Sequence, residues 1–147
     1  MEIDRIYPDD EDFKQVLKLR YELLDEPVGA PEITEPSDND RNPDNVHMVL
    51  YGEERRIVTA VRLDKSGDAE YVVRRMVVAT EQQRRGLGGY AMGILEGIVG
   101  VMGGQRVRLN STPEAIPFYH ALGYEDTGEG VEWAGAYHPE MIKDIIS

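Results

Sequence analysis

At 147 residues the chain has the length of one domain with a substantial hydrophobic core, and we expect residues 1–147 to form a single domain. The absence of cysteine excludes disulfides, thiolate nucleophiles and thiolate metal ligands. The formal net charge is -12 at pH 7, and there is neither a run of 18 apolar residues nor a secretory signal pattern, so we expect a cytoplasmic protein with no membrane partner.

Charge is distributed unevenly along the sequence. Residues 1–45 carry 14 acidic and 5 basic side chains, whereas residues 74–108 carry six arginines and two glutamates. A basic island inside an acidic protein is expected where a small anionic ligand binds, whereas a nucleic acid requires an extended basic face. The sequence therefore predicts a local site for a small anion and no nucleic-acid partner.

The first half of the chain shows strand and helix patterns in turn. Residues 1–6 predict a first strand, and apolar residues with helical spacing over residues 13–24 predict a helix that ends before Pro27. Residues 47–51 and 57–63 flank a turn and predict a hairpin. Arg20 lies on or beside the apolar side of the helix, which favours an ion-paired or snorkelling arginine.

The acidic loop, residues 25–45, has four prolines and little periodicity. Two interpretations stay open for it: an acidic wall that attracts a cationic or amine substrate, or a solvated loop without a ligand. Its alternating oxygen side chains from Asp38 to Asp44 resemble part of a calcium loop, but Pro43 and Val49 occupy the positions that require glycine and a bidentate glutamate. The three histidines also lack metal-like spacing, so we expect no metal site.

The second half of the chain predicts a strand over residues 70–79 and a long helix over residues 87–102. A strand over residues 106–109 should run parallel to the preceding one, because a helical crossover connects them. A short helix begins near Pro113 and ends at Gly123. The end of the chain predicts a hairpin of residues 124–127 with residues 131–134, followed by a short terminal helix from Met141.

Basic residues and glycines lie where the strand at residues 76–78 meets the long helix. A helix N-terminus offers free backbone N–H groups and a favourable dipole to an anion, and glycine allows close approach. Residues 86–91 fit the G-x-G-x-x-[GA] dinucleotide pattern, but the acidic ribose ligand expected after the next strand is replaced by Asn110. The repeat of Gly89, Gly93 and Gly97 predicts close packing of the helix on the sheet.

The segment Gln83-Arg84-Arg85-Gly86-Leu87-Gly88 resembles the Q/R-x-x-G-x-G/A motif of the GCN5-related N-acetyltransferases (GNAT). Residues 115–124, with Phe118-Tyr119-His120-Ala121-Leu122-Gly123-Tyr124, are similar to that family's A-x-x-F/Y-Y-x-x-x-G-F/Y segment. The resemblance covers residues 57–124 by motif. Leu19-Arg20, Pro27, His47 and residues 138–141 are similar to a small bacterial ElaA-like subgroup.

The resemblance implies an α/β (α+β) fold: a mixed, mostly antiparallel sheet of about six to seven strands flanked by helices, with a splayed parallel pair at the cofactor site. It implies acetyl-CoA as the acetyl donor, a small-molecule or peptide amine as the acceptor, and Tyr119 as the general acid for the CoA thiolate. Phe118 and Tyr119 both keep a second interpretation as core aromatics of an amphipathic helix. The residues that the resemblance assigns to acetyl-CoA are Met76, Val77, Val78, Gln83, Arg84, Arg85, Gly86, Leu87, Gly88, Gly89, Asn110 and Phe118.

Two points stay open at this stage. The base that deprotonates the amine has candidates by residue type only, in Glu32, Asp40, His47 and His138, and water is a further alternative. A non-catalytic acyl-CoA-binding or sensing module is the alternative function, and a nucleotide-binding protein is a third that the missing ribose acid disfavours. Edge strands in such a sheet allow a homodimer.

Overall fold

The computed structural model describes residues 2–80 and 86–145. Within those residues the strands are β1 (Glu2–Ile6), β2 (Val46–Tyr51), β3 (Ile57–Ser66), β4 (Glu70–Val78), β5 (Arg106–Asn110), β6 (Glu125–Trp133) and β7 (Ala136–Asp144). The α-helices are α1 (Phe13–Arg20), α2 (Asp38–Arg41), α3 (Leu87–Val101) and α4 (Ile116–Ala121). Among these helices, none is long and apolar enough to cross a membrane.

The strands form one mixed sheet with the order β1-β2-β3-β4-β5-β7-β6. Pairing is antiparallel for β1 with β2, β2 with β3, β5 with β7 and β6 with β7. β4 and β5 pair in parallel through Glu70–Val72 and Arg106–Arg108, as a helical crossover requires. The predicted fold class, a mostly antiparallel sheet of six to seven strands flanked by helices with one parallel pair, is confirmed.

The chain divides into two compact units, the first of which comprises Met1–Asp64 and Arg74–Ala91. The apolar residues of α1 recur at helical spacing and are buried, as the sequence pattern predicts. After α1 the chain makes a π-helical turn over Tyr21–Asp25 and a 3₁₀ turn over Glu26–Val28, which contains Pro27. The core of this unit includes Phe13, Val16, Leu17, Val49, Tyr51, Ile57, Ala60 and Val77.

The second compact unit comprises Lys65–Val73 and Met92–Ser147. A part-buried hydrogen-bonded group joins α3, β7 and the residue before β6, because Tyr124 donates its hydroxyl proton to Glu96 of α3 at 2.9 Å and Lys143 of β7 donates to the same carboxylate at 2.9 Å. Tyr124 is among the largest fully buried side chains. Its hydrogen bond to Glu96, together with that of Lys143, connects α3 to β7 and to the start of β6. The other fully buried side chains of this unit include Met92, Val99, Val107, Leu109, Ser111 and Met141.

The predictions for the end of the chain are wrong. β6 continues past Gly128 and Gly130, with a shift in its pairing to β7 between Asp126 and Gly130. The turn lies at Ala134-Gly135, and the predicted terminal helix from Met141 is part of β7. A Cβ on Gly130 would lie 2.5 Å from the Tyr137 hydroxyl and 2.6 Å from a β7 carbonyl, so this glycine permits close strand approach. Ala134 and Gly135 both have positive φ, as a two-residue hairpin turn requires.

The prediction that the glycine repeat of α3 reflects close packing is also wrong. Gly93 and Gly97 are exposed, and a Cβ on either would meet no described atom within 4 Å. Helical glycines without a packing role cost free energy through backbone entropy.

We expect Gly93→Ala and Gly97→Ala each to raise the free energy of unfolding by about 1 kcal/mol, because alanine restricts the unfolded chain and has space in the folded one. Denaturant midpoints measure the change. The matched control is Gly104→Ala, whose Cβ would overlap Val99 and lie 3.0 Å from the Tyr71 ring, and which should therefore be destabilising. A loss of stability in both helix variants would contradict the conclusion that Gly93 and Gly97 have no packing role.

Candidate active site

The first turn of α3 follows directly on a glycine in the left-handed conformation. Gly86 has a φ of 70°, and its carbonyl accepts the first helical hydrogen bond from the Tyr90 N–H at 3.2 Å. Ala91 anchors this turn in an apolar cluster with Leu50, Val58 and Ala79 of the same unit. The early N–H groups of the helix have no intrahelical acceptor, which is the arrangement that binds phosphate.

Some of the residues predicted to bind the pyrophosphate lie in this first turn, and others fall outside the described residues. Gly86, Gly88 and Gly89 lie at the start of α3, and Leu87 is its first residue. Gln83, Arg84 and Arg85, also predicted to bind the cofactor, lie outside the described residues. The left-handed φ of Gly86 supplies a reason for glycine at that position, because a residue with a Cβ rarely adopts it.

On β4 the three residues predicted to carry the reactive end of the cofactor follow a backbone irregularity. Arg75 has a φ of 53°, an uncommon conformation for a residue with a side chain. Val77 is buried in the core of the first unit, whereas Met76 and Val78 are half-buried. Left-handed backbone inside a strand interrupts the regular alternation of faces, and such outliers concentrate at functional sites.

Tyr119 lies on α4, which a 3₁₀ turn over Pro113–Ala115 precedes. Its ring contacts Phe118 and Tyr124 edge-on, with centroids 5.1 Å and 5.7 Å away. Burial raises the pKa of the Tyr119 hydroxyl above its usual value, so the group stays protonated at neutral pH. The neighbouring Tyr124 donates its proton to Glu96, whereas the Tyr119 hydroxyl has no hydrogen-bond partner among the described residues.

The surroundings of Phe118 and Asn110 do not test their predicted contact with the cofactor. Phe118 is 38% exposed, which argues against the interpretation as a core aromatic. Asn110, at the end of β5, donates its amide to the His138 carbonyl of β7 at 3.4 Å. Cofactor contact for both residues stays a prediction.

Three of the four candidate bases are buried. Asp40 has a pKa held well below its usual range, because hydrogen bonds from Arg20 and the Ser37 backbone more than offset the effect of burial. Burial lowers the pKa of His47, whose Nε2 lies 2.9 Å from the Asp40 carbonyl. His138 Nε2 lies 3.1 Å from the Trp133 carbonyl, and Glu32 is exposed. The described residues contain no group of three or more acidic or histidine side chains arranged to hold a metal.

Sequence reasoning missed a set of buried and part-buried ion pairs in the first unit, which we call the arginine cluster: Arg20, Arg62 and Arg75 with Asp25, Asp40 and Asp64. Arg20 Nη1 lies 2.9 Å from Asp40 Oδ2, and Arg62 Nη1 lies 3.0 Å from Asp40 Oδ1. Arg75 binds Asp25 through two parallel hydrogen bonds of 3.1 and 2.8 Å. The available signal was a charged residue, Arg62, inside the mostly apolar stretch of residues 57–63 in β3.

A cavity of about 220 Å³ lies against the arginine cluster. All three arginines, Asp25 and Asp40 contribute to its wall, and Leu17, Ile33 and Ser37 complete it. Every one of these residues belongs to the first unit. The ion-paired interpretation of Arg20 is therefore confirmed, and two acids of the acidic loop are used in ion pairs.

Comparison with known proteins identifies the family. A family profile described as "Acetyltransferase (GNAT) domain" matches residues 31–145. Escherichia coli ElaA has a TM-score of 0.82 at 20% identity, over 98% of this chain and 100% of that one. An acyl-CoA N-acyltransferase from Pseudomonas aeruginosa has a TM-score of 0.79 at 19% identity, over 97% and 98%. An aminoglycoside 6'-N-acetyltransferase complexed with coenzyme A has 0.78 at 16%, over 100% and 98%.

At these identities the structural likeness establishes the fold, and the profile match, which covers most of the chain, establishes the family. The resemblance seen in residues 83–88 and 115–124 is thereby confirmed, and ElaA is among the structural neighbours. The chain therefore belongs to the GNAT family of acetyltransferases.

Proposed function

We propose that the protein transfers an acetyl group from acetyl-CoA directly to a primary amine of a small-molecule or peptide acceptor. The observation that carries the proposal is the start of α3, where Gly86 in left-handed conformation precedes a turn of free N–H groups. Family membership supports an acyl-CoA donor, and a structural neighbour is complexed with coenzyme A.

In this proposal the N–H groups of Gly86–Gly89 and of the preceding basic residues hold the pyrophosphate of acetyl-CoA. An anion at this position gains from the helix dipole and from hydrogen bonds that the helix itself leaves unmade. The thioester end lies along Met76–Val78, where a backbone N–H polarises the carbonyl. Asn110 and Phe118 complete the set assigned to the donor.

The chemistry moves protons at the nitrogen and at the sulfur. The ammonium group of the acceptor gives one proton to solvent water, the free amine attacks the thioester carbonyl carbon, and the nitrogen gives a second proton to solvent as the carbon–sulfur bond breaks. The Tyr119 hydroxyl gives its proton to the departing thiolate and regains one from solvent. The chain has no cysteine, which closes a cysteine-linked acetyl-enzyme route and supports direct transfer.

Of the two adjacent tyrosines, Tyr119 suits the acid role better. The Tyr124 hydroxyl already donates its proton to the Glu96 carboxylate, and releasing that proton would break a part-buried hydrogen bond. Tyr119 has no such commitment among the described residues, and its raised pKa keeps the proton available above neutral pH.

Calorimetric titration tests the donor assignment. We expect saturable binding of acetyl-CoA and none of NAD or ATP, since the ribose acid and the P-loop sequence are both absent. Binding of NAD or ATP without acetyl-CoA would contradict the proposal.

Turnover then separates an enzyme from a non-catalytic acyl-CoA-binding module. Release of free CoA thiol is read directly with a thiol reagent, because the protein contributes no thiol of its own. Intact acetyl-CoA binding without acetylation of any amine in a broad panel would favour the binding module.

A further inference from the structure

Strand β4 departs from regular strand geometry at Arg75, a position that we call the β4 kink. Its φ of 53° lies in the left-handed region, which a residue with a Cβ adopts only at a free-energy cost. The other described non-glycine residues with positive φ are Glu54, Arg55 and Ala134, and all three lie in turns. Arg75 lies inside a strand instead, so an interaction outside the strand has to stabilise this conformation.

The stabilising interaction is the ion pair with Asp25. Arg75 donates from Nη1 and Nη2 to the two carboxylate oxygens at 3.1 and 2.8 Å, and a bidentate pair fixes the direction of the guanidinium as well as its position. Asp25 is 6% exposed and ends the π-helical turn Tyr21–Asp25. Its carbonyl accepts the Ala30 N–H at 2.9 Å, and the two leucines before it pack against the apolar core. The carboxylate is therefore held on a fixed backbone.

The β4 kink sets the faces of the three residues that follow it. Val77 lies in the apolar core of the first unit, whereas Met76 and Val78 pack against the separate cluster that contains Ala91 of α3. Alternate residues of a strand face opposite sides, and an irregular residue re-aims those beyond it. The placement of residues 76–78 against the first turn of α3 therefore depends on the backbone at Arg75.

We propose that Asp25 is a positioning residue for acetyl transfer: through its ion pair with Arg75 it holds the β4 kink and so aims residues 76–78 at the thioester. The inference rests on the proposed function, in which the reactive end of acetyl-CoA lies along those residues. Asp25 acts through Arg75 and not by contact with the reacting atoms. It preserves a conformation that β4 would otherwise relax, since regular strand geometry has the lower energy for a residue with a Cβ.

The cost of the kink and the strength of the ion pair are of similar size. A left-handed residue with a Cβ and a charge-assisted hydrogen bond each change a conformational equilibrium by roughly tenfold. The arginine side chain is 28% exposed and the aspartate side chain 9%, so solvent weakens the pair only in part. Without Asp25, fewer molecules have the kink, and displacement of a reacting group by about 1 Å can lower a rate by about 100-fold.

The first test removes the carboxylate alone. We expect Asp25→Asn to lower kcat by about tenfold, measured by thiol release with the amine that wild type acetylates fastest. The affinity for free CoA, measured by calorimetry, should change by less than about threefold because the first turn of α3 is unaltered. The matched control is Glu26→Gln, which removes the neighbouring exposed acid and should leave kcat unchanged.

Two double variants then isolate the backbone. Asp25→Asn with Arg75→Gly and Asp25→Asn with Arg75→Ala both remove the ion pair without leaving an unpaired charge, and they differ by one Cβ. Glycine adopts the left-handed conformation freely and alanine does not, so kcat of the alanine variant should be lower by about tenfold. If the pair only stabilised the fold, alanine would be the better residue in a strand.

Urea denaturation shows whether each variant is folded. If either double variant is not, Arg75→Lys replaces the comparison, because lysine keeps the charge but cannot form the bidentate pair. We then expect kcat to fall by about threefold or more at unchanged affinity for CoA.

Equal kcat in the two double variants, or a higher kcat in the alanine variant, would overturn the inference. So would unchanged kcat in Asp25→Asn or in Arg75→Lys, an equal loss in Glu26→Gln, or a loss of CoA affinity that accounts for the whole decrease in turnover. If wild type releases no CoA with any amine, the proposed function fails and the positioning role fails with it. If wild type turns over and the double variants do not differ, the positioning role alone fails.

Discussion

Replacement of Asp40 by asparagine is expected to lower the free energy of unfolding by about 3–5 kcal/mol, the cost of removing one partner from a buried ion pair. Asp40 is 3% exposed and binds two arginines that are themselves buried. Asparagine preserves the volume but removes the charge and turns an N–H₂ group toward arginine donors. Arg20 and Arg62 would then be left as buried cations without full compensation.

The matched control is Asp38→Asn in the same short helix. Asp38 is exposed and lies two residues before Asp40, so its loss should change stability by no more than about 0.5 kcal/mol. Urea denaturation followed by circular dichroism measures both variants. Similar losses for Asp38→Asn and Asp40→Asn would show that the effect comes from helix capping or net charge and not from the buried pairs.

The pH dependence of stability provides a second, independent test of the Asp40 ion pairs. The folded state holds the pKa of Asp40 well below the unfolded value of about 3.9, so the ionised carboxylate contributes stability above that value. This contribution is lost as pH falls from about 4 toward the folded pKa, where the unfolded state binds the extra proton. The difference between wild type and Asp40→Asn should therefore be largest near neutral pH and shrink below pH ~4. An equal stability difference between wild type and Asp40→Asn at neutral and at low pH would contradict the stabilising role of the ionised Asp40 carboxylate.

Local patterns were sufficient to predict much of the fold. Helical spacing fixed α3 to within a residue or two, and the crossover rule predicted the parallel pairing of β4 with β5. The segment around Tyr119 was recognised because helix, stop glycine and family motif coincide in one short stretch. The helix and motif signals act over short stretches of sequence, and the crossover rule depends only on the order of strand, helix and strand.

The misses have two physical causes. At the end of the chain, Gly128 and Gly130 have the composition of a turn, but Gly130 is required by the Tyr137 ring on the adjacent strand. The true turn begins with Ala134, which lacks the usual asparagine or aspartate signal. Only the three-dimensional pairing of β6 with β7 distinguishes the two arrangements.

The arginine cluster was missed because its partners are distant in sequence. Arg20 and Asp40 are 20 residues apart, and Arg75 and Asp25 are 50 apart. Net charge over residues 1–45 gave the impression of a free acidic wall. Folding removes Asp25 and Asp40 from that wall by pairing them with arginines, so the exposed loop carries two acids fewer than the sequence suggests.

Tyr119→Phe is expected to lower kcat by about 10²–10⁴-fold, the usual contribution of a general acid, with the affinity for acetyl-CoA changed by less than about twofold. The substitution removes one oxygen and preserves the ring that packs against Phe118 and Tyr124. Calorimetry gives the affinity and thiol release gives kcat, so binding and chemistry are measured separately. A collapse of acetyl-CoA affinity in Tyr119→Phe would assign the residue a structural role.

The neighbouring tyrosine is the matched control for that experiment. Tyr124→Phe removes the hydrogen bond to Glu96, but Lys143 still pairs with the carboxylate, so we expect lower stability and nearly unchanged kcat. Because burial raises the pKa of Tyr119 above its usual value of 10, its proton is lost only at higher pH, and no fall in wild-type kcat from this group should occur below pH ~10. If Tyr124→Phe slows transfer as much as Tyr119→Phe does, packing of the aromatic pair limits the rate and the proton comes from elsewhere.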